Sequence, residues 1–87
     1  MFLLTNDLVA KYIEAADCYY DCNMDPAAVV CVLEAGKIID AYKLYDNTPV
    51  LWYRYTYANA RRLDYERKYQ AATSEYYEIL KLVFFLF

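Results

Sequence analysis

The sequence predicts an all-α protein: a small three-helix bundle or helical hairpin. Two shorter helices, over about residues 6–22 and 26–46, are expected to pack on one long C-terminal helix over about 49–86. Three observations predict this. The chain has one Gly and two Pro in 87 residues, whereas all-β domains need many turn residues. Apolar residues recur three and four positions apart through each segment. Each proline follows a residue type suited to capping a helix, Asp25 before Pro26 and Thr48 before Pro49. With 61% hydrophobic residues, the chain has enough apolar area to offset its conformational entropy. Residues 1–87 are read as a single domain, small enough to leave much of its surface exposed.

The first helix is expected to follow Thr5 and Asn6, with Asp7 in its first turn. Leu8, Val9, Tyr12, Ile13, Ala16, Tyr19 and Tyr20 then fall at helical spacing. The second helix is expected to take Asp25 as its cap and to place Ala28, Cys31, Val32, Ala35, Ile38, Ile39, Tyr42 and Tyr45 on one arc. Gly36, inside that helix, weakens it by about 1 kcal/mol relative to Ala and leaves room for a close approach. Pro49 pushes Thr48 out of helical geometry and ends the element.

The third element opens on VLWYRYTY, whose alternating tyrosines have strand propensity. A strand there would lack a partner. The helical reading runs further: Leu51, Tyr55, Ala58, Arg62, Tyr65, Tyr69, Ala72, Tyr76, Ile79, Val83 and Leu86 follow a heptad spacing to the end of the chain. Such a rod would be ~57 Å long at 1.5 Å per residue. It would need the shorter helices, or a second copy, along its length. Tyr55, Arg62, Tyr65, Tyr69 and Tyr76 are therefore the expected seam and self-association residues. Arg62 in a buried seam would need a carboxylate, with Asp17, Asp21 or Glu34 as candidates.

Charge is unevenly placed. Residues 1–49 carry eight acids against three lysines, net −5; residues 50–87 carry six bases against four acids, net +2. With no His in the chain, a Ser-His or Cys-His nucleophile pair is excluded, and one Gly cannot build a phosphate loop. No enzyme activity and no cofactor are expected. Cys18, Cys22 and Cys31 are odd in number and lack metal-ligand spacing, so they read as reduced thiols in a cytoplasmic setting with no metal site. MFLL is too short for a signal sequence and ILKLVFFLF too short for a membrane span, so a membrane partner is not expected.

The densest feature is residues 52–70, WYRYTYANARRLDYERKYQ, where six of nineteen residues are Tyr or Trp and five are Arg or Lys. On a helical wheel Tyr53, Arg54, Tyr57, Arg61 and Lys68 share an arc away from the seam, with Trp52 at the helix start. Tyr, Trp and Arg are the side chains most enriched at interface hot spots. These six are the candidate partner-binding residues, and a protein partner is the expected one. Rings interleaved with guanidiniums also suit single-stranded nucleic acid, although the chain is net acidic. A self-assembling helical subunit is a third reading. In style, and through no motif, the chain is similar to small phage-encoded proteins that dock on and inhibit host or defence machinery, which would place it in a host cytoplasm.

Overall fold

The computed structural model describes the backbone of residues 2–44 and 49–86, with side chains at 5–44, 49–81, 83 and 84. The described residues form four helices: α1 (Phe2–Asp21), α2 (Asp25–Tyr42), α3 (Pro49–Tyr65) and α4 (Tyr69–Leu86). The all-α reading and the bundle packing hold. The radius of gyration is 12.4 Å, against about 12 Å expected of a compact chain of this length.

The core begins with α1 and α2, which zip together antiparallel. Val9, Ile13, Ala16 and Tyr20 on α1 are buried at spacings of four, three and four. Ala28, Val32, Ala35 and Ile39 on α2 repeat those spacings. Run in opposite directions, the two ladders set large against small on three of four rungs: Ile13 and Ala35 share one buried cluster with Val9 and Ile39, while Ala16, Val32, Tyr20 and Ala28 share the next. Alternating sizes let the helices interdigitate without voids. Burying a side chain such as Ile13, which is 0% exposed, contributes about 1.5–3 kcal/mol.

α3 lies across this pair and is the shared element. Ala58 enters the Ala16–Tyr20 cluster, and Leu51, Trp52 and Tyr55 pack against the Val9–Ile39 cluster. Its opposite side receives α4, which packs on α3 and on no other helix among the described residues. Thus α3 is sandwiched between the α1–α2 pair and α4, and the helices alternate in direction.

The long C-terminal helix is corrected: it is two helices. Arg67 takes a left-handed conformation at φ 62°. The Lys68 N–H reaches back to the Leu63 carbonyl at 2.9 Å and the Arg67 N–H to Asp64 at 3.0 Å, which is the Schellman arrangement for ending a helix. A straight rod of ~57 Å would overhang a body whose longest extent is 34 Å. Folding back lets Ala72 and Ile79 become buried. The continuous seam is lost with the rod: Tyr65 and Tyr69, on either side of the turn, are exposed.

The other two helix ends described use the same device. Asn23 and Lys43 also have positive φ; Met24 N–H bonds Tyr19 O at 2.8 Å and Leu44 N–H bonds Ile39 O at 3.0 Å. Leu44 then packs in the same cluster as Ile39, the hydrophobic contact that accompanies this motif. None of the three positions is Gly, although a non-Gly residue in this region costs about 1–2 kcal/mol.

The remaining boundaries shift modestly. α1 starts at Phe2, so Thr5, Asn6 and Asp7 lie inside the helix rather than capping it. Thr5 is buried. The cap of α2 is Met24, without a side-chain hydrogen bond, and Asp25 is the first helical residue. α2 ends at Tyr42, short of 46, because Lys43 turns left-handed. The expected Thr48 cap and Tyr45 lie outside the described residues. Gly36 does mark a close approach: a Cβ there would stand 2.7 Å from the Tyr55 hydroxyl, so the missing side chain admits the Tyr55 ring of α3.

Candidate protein-docking groove

Because α3 is covered on two opposite sides, its flanks are left as open grooves. On the flank facing α1, Tyr53, Arg54, Tyr57 and Arg61 line a cleft of about 370 Å³ together with Asp17 and Asp21. Four of the six candidate residues are thereby brought together. The spacing explains it: one, three and four positions apart on a helix is a single arc. Asp17 and Asp21 are one turn apart on α1 and meet that arc because α1 and α3 run side by side.

The groove is electrostatically mixed. Arg54 Nη2 lies 3.7 Å from Asp17 Oδ2, with both side chains substantially exposed. A pair so open to water contributes little to stability and its groups stay available. Arg61 places its guanidinium carbon 4.2 Å from the centre of the Tyr20 ring, a cation–π contact. Tyr20 is buried beneath it and its hydroxyl donates to the Ala58 carbonyl at 3.4 Å. Burial pushes that hydroxyl up to about 12, against the opposing pull of Arg61. Tyr57 meets Tyr76 of α4 edge to face, ring centres 6.4 Å apart. Burial, with Asp64 beside it, also raises the Tyr76 hydroxyl, which donates to Asp64 Oδ2 at 3.5 Å. The groove floor is thus fixed by α1 and α3, and one wall is braced by α4.

Trp52 and Lys68 lie apart from this groove. Trp52 stacks on Tyr55, centres 5.6 Å apart, and packs against the Val9–Ile39 cluster. Lys68 falls in the α3–α4 turn, 3.2 Å from Glu66.

The seam residues divide likewise. Tyr55 packs against both core clusters. Arg62 does not reach Asp17, Asp21 or Glu34. Its Nη1 donates to Glu66 Oε1 at 2.9 Å and its Nε to Asn59 Oδ1 at 2.9 Å. Glu66 stands four residues ahead of Arg62 on the same side of the helix, so no carboxylate from another element is needed. The hydrogen bond from Lys68 is the largest influence on the Glu66 carboxyl and, against the opposing effect of burial and with help from Arg62, holds it below its ordinary range.

The opposite flank of α3 forms a second groove, against α2, of about 480 Å³ lined in part by Val30, Leu33, Lys37, Tyr55 and Arg62. Beside it Asn59 Nδ2 donates to Glu75 Oε1 at 3.4 Å. Burial raises the Glu75 carboxyl. Cys18 and Cys22 are exposed and Cys31 is half-buried, its thiol raised by burial. Among the described residues no three His, Cys, Asp or Glu side chains are grouped to hold a metal ion. No described helix is long and apolar enough to cross a membrane.

Sequence reasoning identified the α3 arc but not its acidic wall. It offered Asp17 and Asp21 as partners for Arg62 instead. Their i, i+4 spacing was visible, but their register against α3 depends on how the α1–α2 pair docks. The exposed face of α4, formed by Thr73, Tyr77, Leu80 and Phe84, was masked by the overlapping heptad seam through Tyr76, Ile79 and Val83. Comparison of the chain with protein-family models, curated proteins and solved structures finds no match.

Proposed function

We propose that this chain is a small non-enzymatic protein-binding module that docks a larger protein in the groove between α1 and α3. The observation that carries the reading is the convergence of Tyr53, Arg54, Tyr57 and Arg61 with Asp17 and Asp21 on one open cleft. Rings supply contact area with few rotors to freeze, and charges of both signs allow directional pairing with a partner. Single-stranded nucleic acid is the second reading. It draws on the same rings and guanidiniums but has less support, since two carboxylates in the wall repel phosphate.

The test is affinity capture from the native host, comparing the natural chain with an Arg54→Glu, Arg61→Glu double variant and with Tyr53→Ala. Capture should fall at least about tenfold, as for central interface residues, with helical circular dichroism retained. Unchanged capture by both variants would remove the groove from consideration. A labelled oligonucleotide titrated at two salt concentrations separates the two readings. Saturable binding that weakens with salt would favour nucleic acid.

A further inference from the structure

α4 has two faces and, among the described residues, one neighbour. Ala72 and Ile79 are buried, and α3 is the one helix packed on α4 among the described residues. On another arc, Thr73, Tyr77, Leu80 and Phe84 are all exposed; Tyr77 is 62%, Leu80 59% and Phe84 89% exposed. Their spacing is four, three and four, the same ladder by which α1 and α2 zip together. In α1 and α2 every rung is buried.

We propose that this outer face of α4 is a docking surface for a second copy of the same chain, the two α4 helices running antiparallel. A two-fold axis between Tyr77 and Leu80 sets Thr73 opposite Phe84 of the second copy, and Tyr77 opposite its Leu80. Small then faces large at the ends, the size alternation seen where Ile13 and Ala35 share a cluster. Thr73 suits the small position because its hydroxyl already donates to the Tyr69 carbonyl at 2.8 Å, so covering it strands no polar group.

Charge is self-complementary across the same axis. Glu78 and Lys81 flank the ladder, 3.1 Å apart within one chain. The two-fold brings each Lys81 within two residues of the other chain's Glu78, ~3 Å along the helix axis at 1.5 Å per residue. Tyr77, Phe84, Leu80 and Thr73 of both copies, partly covered already by their own chain, can bury at most roughly 1,000 Å² over the pair, the lower limit for a specific interface. The surface is separate from the α1–α3 groove, so an assembled pair keeps both grooves open.

Sedimentation equilibrium on the full chain tests this. The expected result is a monomer–dimer equilibrium with a dissociation constant on the order of tens of micromolar, as suits an interface this small. Leu80→Glu should weaken it at least about tenfold by placing two carboxylates together at the axis. Because Leu80 is exposed, helical content should be unchanged. Lys81→Glu should weaken the dimer too, and adding Glu78→Lys should restore it, a rescue that a purely structural effect on α4 would not give. The Arg54→Glu, Arg61→Glu variant should dimerise like the natural chain, so failure of the groove reading and failure of this one are distinguishable. A chain that stays monomeric at several hundred micromolar overturns the proposal. So does a monomer that binds anionic phosphatidylserine vesicles and loses that binding with Leu80→Glu, since the face would then serve a lipid surface.

Discussion

The α1–α2 pair and the α3–α4 hairpin are both antiparallel, both closed by a turn with a left-handed non-glycine residue, and both rich in apolar side chains. They differ in how many neighbours each helix has. The inner ladders of α1 and α2 meet one another and also α3, so Val9, Ile13, Ala16, Ala28, Val32 and Ala35 are all 0% exposed. Among the described residues α4 meets α3 alone, and its buried Ala72 and Ile79 are 2% and 8% exposed while Tyr77, Leu80 and Phe84 face solvent. The lesson is that apolar content does not set burial. The number of packed neighbours does, and among the described residues α4 retains an apolar face that no helix covers.

The largest expected effect compares the two regions directly. Ile13→Ala, at the centre of the α1–α2–α3 contact, should cost about 3–4 kcal/mol in urea unfolding, since a cavity enclosed by three helices cannot collapse. Ile79→Ala on α4 should cost less, about 2 kcal/mol, because an element packed on one neighbour can shift to close the gap. Equal losses would mean that α4 is held as firmly as the pair. Hydrogen exchange is a second readout, with α4 amides expected to exchange by local opening before those of α1 and α2.

A smaller effect sharpens the role of α3 as the shared element. Gly36→Ala should raise helix propensity by about 1 kcal/mol, yet the new methyl meets the Tyr55 hydroxyl at 2.7 Å. Tyr55 is stacked on Trp52 and cannot simply swing away, so the substitution should destabilise the natural chain by about 1 kcal/mol, the scale of overpacking. In a Tyr55→Phe background the nearest ring atom is 3.5 Å away, and Gly36→Ala should become stabilising. A double-mutant cycle by denaturant unfolding measures that change of sign. If Gly36→Ala has the same effect in both backgrounds, the contact does not limit the α2–α3 approach.

The smallest effect concerns the turn that creates α4. Arg67→Gly removes the cost of a left-handed non-glycine residue and adds unfolded-state entropy, for a net gain of about 0.5–1 kcal/mol. Thermal unfolding should show a midpoint a few degrees higher. A loss instead would mean that residue 67 prefers to continue the helix, as the heptad pattern predicts.

How much of the fold was legible follows from these residues. Periodicity located the helical segments and the inner arcs, because apolar spacing acts locally and Val9, Ile13, Ala16 and Tyr20 keep their face whatever they pack against. The proline at each helix start was equally local. The caps were less so: Thr5 and Asn6 have capping side chains but sit within α1, because the helix extends upstream of them. The candidate groove was half legible. The α3 arc follows from spacing within one helix, while Asp17, Asp21 and Tyr20 join it only through the docking of α1.

By itself the sequence determined that the chain is helical, which residues line the α1 and α2 ladders, and that one side of α3 concentrates rings and guanidiniums, since each depends on contacts a few residues apart. Tertiary structure alone decided that the chain reverses at Arg67, that Asp17 and Asp21 meet the α3 arc, and that, among the described residues, α4 leaves a ladder uncovered. A heptad continued through Tyr65 and Tyr69 cannot distinguish a rod from a hairpin. The choice turns on what the rod would leave exposed beyond a 34 Å body, an energy spread over the whole molecule rather than stored in any one turn.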